Sequence, residues 1–293
     1  MLYEIGNDSL KIIVDSFGAE LQSIVDTNQN QEILWQADKR HWARHAPILF
    51  PIIGRLKNDE LKIKNNTYPI SQHGFARDSG FSLVSKDESH VLLSLKSSDK
   101  TRIHYPFEFE LQVEYCIQNS MVSCHFTVIN PSQTMLPFSL GGHPAFNWPL
   151  SPDVPKEQHR IVFDKTETGR ISQLTAGLVS RDDLPSPLNN NVLNLSEDLF
   201  DHDALIFKEV RSKVLRYEAI ENDEIKACIE VQYENFNDLG IWTKPGADFV
   251  CIEPWLGYSS SVDFDGDFDK KAGLIQLAPE SEQNFSFTIK LSL

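Results

Sequence analysis

The feature that most constrains this chain is a two-residue alternation of apolar and polar side chains, repeated from one end to the other. In an extended strand successive side chains point to opposite faces, so this period specifies half-buried sheet rather than helix. The cleanest run sets Phe107, Phe109, Leu111, Val113, Tyr115 and Ile117 against Glu108, Glu110, Gln112, Glu114, Cys116 and Gln118. After Asn119 and Ser120 the period resumes in Val122, Cys124, Phe126 and Val128, which predicts an antiparallel hairpin. Similar runs lie at 10–14, 91–95, 225–233 and 285–293, so both ends of the chain carry strands.

Helical periodicity is scarce. The best candidate is 37–45, about two turns, too short to be stable without tertiary support. The Pro-containing run 144–155 reads as a loop across a sheet rim. No stretch of Gly, Ser or Pro is long enough to be a linker, so 1–293 is expected to form one domain. The absence of an internal repeat argues against a propeller or solenoid. Many strands joined by short turns predict a mostly β fold with two large antiparallel sheets packed face to face, a barrel being the alternative.

With 42 acidic against 27 basic residues the formal charge is −15, spread along the chain, which repels nucleic acid and anionic membranes. Neutral small molecules are the easiest partners. Cys116, Cys124, Cys228 and Cys251 show no metal or disulfide spacing and read as reduced thiols. No basic-apolar leader opens the sequence and no apolar run approaches the roughly 20 residues of a membrane helix. The expected compartment is the cytoplasm.

Residues with special chemistry gather in five short segments rich in Gly, Pro and aromatics, where strands end. They are Phe50-Pro51-Ile52-Ile53-Gly54-Arg55, Gln72-His73-Gly74-Phe75-Ala76-Arg77, Gly141-Gly142-His143-Pro144-Ala145-Phe146-Asn147-Trp148, Phe200-Asp201-His202-Asp203 and Cys251-Ile252-Glu253-Pro254-Trp255-Leu256-Gly257. A lone His beside Gly is more often structural than catalytic. Glu253, bracketed by Ile252 and the Pro254-Trp255 pair, is expected to be partly desolvated and therefore a stronger base.

In this order the five segments resemble the sugar-contacting segments of the aldose 1-epimerase (mutarotase) family, over nearly the whole chain, and are similar to its LacX-like branch. The resemblance implies a large antiparallel β-sandwich of the galactose-mutarotase type with few short helices, in agreement with the strand periodicity. It implies His143 as general acid, Glu253 as general base, and Arg55, His73 and Asp201 as sugar-binding residues; His202 and Asp203 are not carried over. The implied reaction opens and recloses a sugar ring by proton transfer and requires neither metal nor cofactor. Trp255 or Trp148 is a candidate to stack on an apolar sugar face, with core packing as the alternative.

Two departures from the galactose mutarotases leave the substrate open. Gly142 precedes the histidine where that branch has Asn, and Ala145 stands where it has an aromatic. The continuation Leu56-Lys57-Asn58-Asp59 also lacks a second arginine. Alternative readings are a hexose-phosphate mutarotase with Arg40, Arg44 and Arg77 as a phosphate clamp, and a non-catalytic sugar-binding module. A third is a glycoside hydrolase using Glu253 and Asp201, which leaves His143 without a role. Asp263, Asp265, Asp267 and Asp269 read as a solvated acidic turn, because Phe268 and Leu274 stand where a calcium loop needs Gly and Glu. His41 and His45, four apart, read as surface or rim residues.

Overall fold

A computed structural model describes residues 1–167 and 169–293. The alternating segments become the strands of two large sheets. One holds nine strands, in the order Val192–Asn194, His159–Phe163, Val214–Glu221, Glu224–Glu234, Ser281–Ser292, Met121–Asn130, Glu110–Gln118, His90–Lys96 and Ser82–Lys86. The other holds Leu178–Pro185, Arg170–Thr175, Leu205–Phe207, Asp238–Trp242, Phe249–Leu256, Leu140–Gly142 and Ile48–Leu49, with Ala145–Asn147 also pairing on Phe249–Leu256. Leu2–Gly6, Leu10–Asp15, Glu20–Asp26 and Gln31–Glu32 make a smaller four-stranded sheet.

The predicted hairpin forms with Gln118 opposite Met121 and Glu110 opposite Ile129. Its turn places Asn119 at φ 53°, a left-handed conformation that Asn tolerates better than most residues. Leu111, Val113, Tyr115 and Ile117 are buried, while the polar residues between them stay partly exposed. Their buried face meets the second sheet in one continuous core, whose members run from Ile5 to Leu291. Phe163 of the nine-stranded sheet meets Phe207 of the other at 5.3 Å between ring centroids. Each such fully buried aromatic contributes roughly 1.5–3 kcal/mol through burial. About 51% of the chain is strand and 7% helix, so the fold is mostly β with several antiparallel sheets, as the alternation predicts.

Three expectations need correction. The segment 37–45 is not helical: Ala37 adopts φ 54°, and the Glu20 carboxylate accepts from the backbone N–H groups of His45 and Ala46. Only a short turn survives there, with the N–H groups of His41 and Trp42 both donating to the Asp38 carbonyl. Among the described residues the one α-helix is Asp99–Arg102, a single turn capped by Ser98 and Thr101. Ile225 begins its strand exposed, so the buried face there starts at Ala227. The run 144–155 is not all loop, since Ala145–Asn147 forms a strand.

All four cysteines are free thiols. No described helix is long and apolar enough to cross a membrane.

Candidate active site

The centre of the site is the strand Phe249–Leu256, in which every residue is buried. Its alternation sends Val250, Ile252 and Leu256 into the main core, and Cys251, Glu253 and Trp255 to the opposite face. Two short strands pair with it in one register: Gly141 faces Trp255, and Ala145 faces Cys251. The position between them, His143, therefore stands opposite Glu253. Pro144 interrupts the ladder there, and His143 instead donates its N–H to the Pro47 carbonyl at 3.1 Å. His143 Nε2 lies 3.1 Å from Glu253 Oε2.

On the other side of the strand Gly240 is the partner of Glu253. The Trp255 indole covers that glycine, and a Cβ on Gly240 would lie 2.6 Å from Trp255 Cζ2. Gly141 is as tight, with a virtual Cβ 2.7 Å from Trp255 Cδ1. The two glycines thus make the slot in which the indole lies. Gly240→Ala is expected to destabilise the protein by about 1–3 kcal/mol through overpacking, measurable as a lower urea midpoint with unchanged slope.

A cleft of about 260 Å³ opens beside this strand, lined by Trp42, His73, Arg77, His143, Asp203, Trp242, Glu253 and Trp255 among others. Trp42 stacks on the His143 imidazole at 4.9 Å, and Trp242 meets its edge at 5.8 Å. His73 approaches from a third side at 5.8 Å. Its Nδ1 accepts from the Gly54 N–H at 3.1 Å, which assigns the ring proton of neutral His73 to Nε2.

The pair His143 and Glu253 is almost sealed, at 6% and 1% exposure. Burial pushes the Glu253 carboxyl well above its usual range; the Trp255 indole partly offsets this and the Asp203 charge adds to it. Burial, then the Arg77 and Arg44 cations, depress His143 to about 3. His73 is held well below the ordinary histidine value by burial, Arg77 and His143. The 3.1 Å separation is within ion-pair range, but Glu253 Oε2 has no aligned donor and His143 Nδ1 has no partner. Without such hydrogen bonds a buried ion pair is not repaid for its lost hydration. Burial therefore favours a neutral imidazole beside a protonated carboxyl.

Of the five residues expected at the site, His143, Glu253 and His73 line the cleft together. The Arg55 guanidinium is turned to Asp59, donating from Nε at 2.9 Å and from Nη2. Asp201 is exposed and ends the turn Glu197–Phe200, whereas Asp203, two residues on, lines the cleft. Trp148 is core, its Nε1 donating to the Lys156 carbonyl at 2.9 Å, while Trp255 faces the cleft. Of Arg40, Arg44 and Arg77, only Arg77 lines the cleft. Arg40 pairs with Asp38 and Arg44 with Asp78. Asp263 pairs with Arg181 and Asp265 with Lys62. His41 and His45 are half-buried.

No local sequence signal marks Trp42 or Trp242 as site residues. Trp42 lies in 37–45, whose spacing predicts a helix. Trp242 was legible only as the strand partner of Cys251, a long-range pairing.

The aldose 1-epimerase family model matches residues 1–290. The chromosomal and plasmid LacX proteins of Lactococcus lactis subsp. lactis are each 30% identical over 301 residues, covering 99% of both chains. A galactose mutarotase related enzyme from Lactobacillus acidophilus superposes with TM-score 0.94 at 34% identity, over 100% of this chain and 98% of that one. A galactose mutarotase-like protein from Lactobacillus casei gives 0.92 at 30% identity, over all of both chains. With the match extending from the first residue almost to the last, through every segment that builds the cleft, the chain belongs to the aldose 1-epimerase family.

Proposed function

We propose that this protein is a mutarotase that interconverts the α and β anomers of an aldose, with His143 and Glu253 as its acid–base pair. The observation that carries this reading is the 3.1 Å approach of His143 Nε2 and Glu253 Oε2 in the wall of an aromatic-sided cleft. In ring opening the carboxylate takes the proton of the anomeric hydroxyl while the imidazolium protonates the ring oxygen. The bond from carbon 1 to the ring oxygen breaks, and carbon 1 becomes an aldehyde. Afterwards the carboxyl holds a proton and the imidazole is neutral, which is the arrangement that burial favours. Rotation about the bond from carbon 1 to carbon 2, then reclosure with the roles reversed, delivers the other anomer and restores the pair.

Hydrogen bonds from sugar hydroxyls to the carboxylate compensate the charge-separated state when substrate is bound. His73 Nε2–H, which stands 3.3 Å from the Gln72 side-chain amide, is the donor, and we assign the acceptor role to Asp203 rather than Asp201 because Asp203 lines the cleft. Arg55 contributes through its backbone: its N–H donates to Ser259 Oγ at 3.1 Å and its carbonyl accepts from Ser260 at 2.8 Å, securing the cleft-lining Gly54 turn. Trp255 and Trp242 supply apolar faces for the ring.

A phosphorylated aldose is a second reading, favoured by one observation. Arg77 faces the cleft with a buried Nε that makes no hydrogen bond and lies 3.7 Å from Asp78 Oδ2, and burial followed by the Arg44 charge lowers its pKa to about 10. Such a cation is stabilised by an anion. Saturation-transfer NMR of anomer exchange in glucose, galactose and their 6-phosphates, against a His143→Ala control, tests both readings. Exchange lost in the control supports the mutarotase; no exchange with any aldose in folded protein overturns it. Under the phosphate reading Arg77→Gln raises KM for the 6-phosphate alone; an equal change for free and phosphorylated sugar rejects that reading.

A further inference from the structure

The proposed chemistry leaves one buried reactive group beside the pair unused, the thiol of Cys251. It is fully buried, two residues before Glu253 on the same strand face, and opposite Ala145 and Trp242 on the neighbouring strands. One donor atom each from His143, Cys251 and Glu253 lies within 4.8 Å of the other two. We infer that these three side chains form a binding site for a thiophilic divalent cation, Zn²⁺ above all, and that the cation switches off the acid–base pair by occupying it.

Imidazole nitrogen, thiolate sulfur and carboxylate oxygen are all zinc donors, with bonds of roughly 2.0–2.3 Å. A tetrahedral set with those bonds has donor separations of roughly 3.3–3.8 Å. His143 and Glu253 already stand 3.1 Å apart, so closing the triangle requires drawing in the Cys251 sulfur, which lies within 4.8 Å of both. Charge favours the same assembly. A neutral imidazole, a thiolate and a carboxylate together balance a dication, and a neutral complex suits a site this deeply buried. The protons of the thiol and of the pair pass to solvent as the cation enters. His143 and Glu253 line the cleft, which gives a cation its path to them, with Cys251 buried behind.

The orphan atoms of the pair fit this reading, since Glu253 Oε2 is buried without an aligned donor and a metal ion would satisfy it. Once the imidazole lone pair and the carboxylate oxygen are bound to metal, neither can exchange a proton with the sugar.

The test uses the metal-free full-length protein and Co²⁺ as an optical probe. Co²⁺ is expected to produce a thiolate-to-cobalt charge-transfer band, which Zn²⁺ removes, and Zn²⁺ is expected to block anomer exchange. Cys251→Ser is expected to keep exchange, lose the band and need roughly tenfold or more Zn²⁺ for the same block. Anomalous diffraction at the zinc edge from the unmodified protein locates the ion among the three side chains even if the variant does not fold. The inference is overturned if folded protein gives no cobalt band, if zinc inhibits Cys251→Ser equally, or if the anomalous peak lies elsewhere. The band and the peak need no turnover, so the site and the mutarotase reading fail separately.

Discussion

Replacing Glu253 by Gln is expected to slow anomer exchange by about 10²–10⁴-fold, the usual contribution of a positioned acid or base, while making the fold more stable. Gln fills the same space but cannot carry the proton. The stability gain follows from the raised carboxyl pKa. The folded state holds this proton more tightly than the unfolded chain, so the contribution of Glu253 is fully present below about pH 4.3 and is lost as pH rises toward the folded value. Gln removes that loss, which we expect to be about 1–3 kcal/mol near neutrality and larger at about pH 8 than at about pH 5. Calorimetric melting at the two pH values measures it. Wild-type exchange should run flat through pH 6.5, where an ordinary imidazolium loses its proton. The pair takes up a second proton only as pH falls toward about 3, and keeps its single proton well above the usual carboxyl range. A break in rate near 6.5 would show His143 titrating alone.

His143→Ala should lose a similar factor, about 10²–10⁴. The more telling result is the double variant with Glu253→Gln, which should lose no more than about the larger single loss instead of their product. In the proposed mechanism both groups act in the same ring opening, so removing either stops the cycle. Single-turnover exchange with all four proteins closes the cycle of comparisons. Multiplicative losses would mean that the groups act independently and that their 3.1 Å contact has no part in proton transfer. His143→Ala also removes the ring on which Trp42 stacks, at a cost of about 0.5–1.5 kcal/mol, so folding is checked alongside.

The strands were legible because their signal is local: the period of two in 111–117 and 122–128 fixes which side chains are buried whatever they are buried against. The same period placed Cys251, Glu253 and Trp255 on one face of one strand. The segment 37–45 misled for the complementary reason. Its spacing suits a helix, but a segment that short takes its conformation from tertiary partners, here the Glu20 carboxylate on the His45 and Ala46 amides. That Asp203 rather than Asp201 lines the cleft is equally out of reach of the sequence, since it turns on how a short turn ends.

From its sequence alone the protein is committed to antiparallel sheet, to a particular set of strands, and to the aldose 1-epimerase family, in whose motifs His143 and Glu253 stand. Only the tertiary structure decides that these two residues touch, that two tryptophans from distant segments enclose the imidazole, and that a cysteine stands beside them. The physical reason is that side-chain period is set by the backbone of each strand separately, whereas register between strands is set by pairing across the chain. The proton affinities belong to the second category, because burial, which shifts them most, exists only once the sheets have packed.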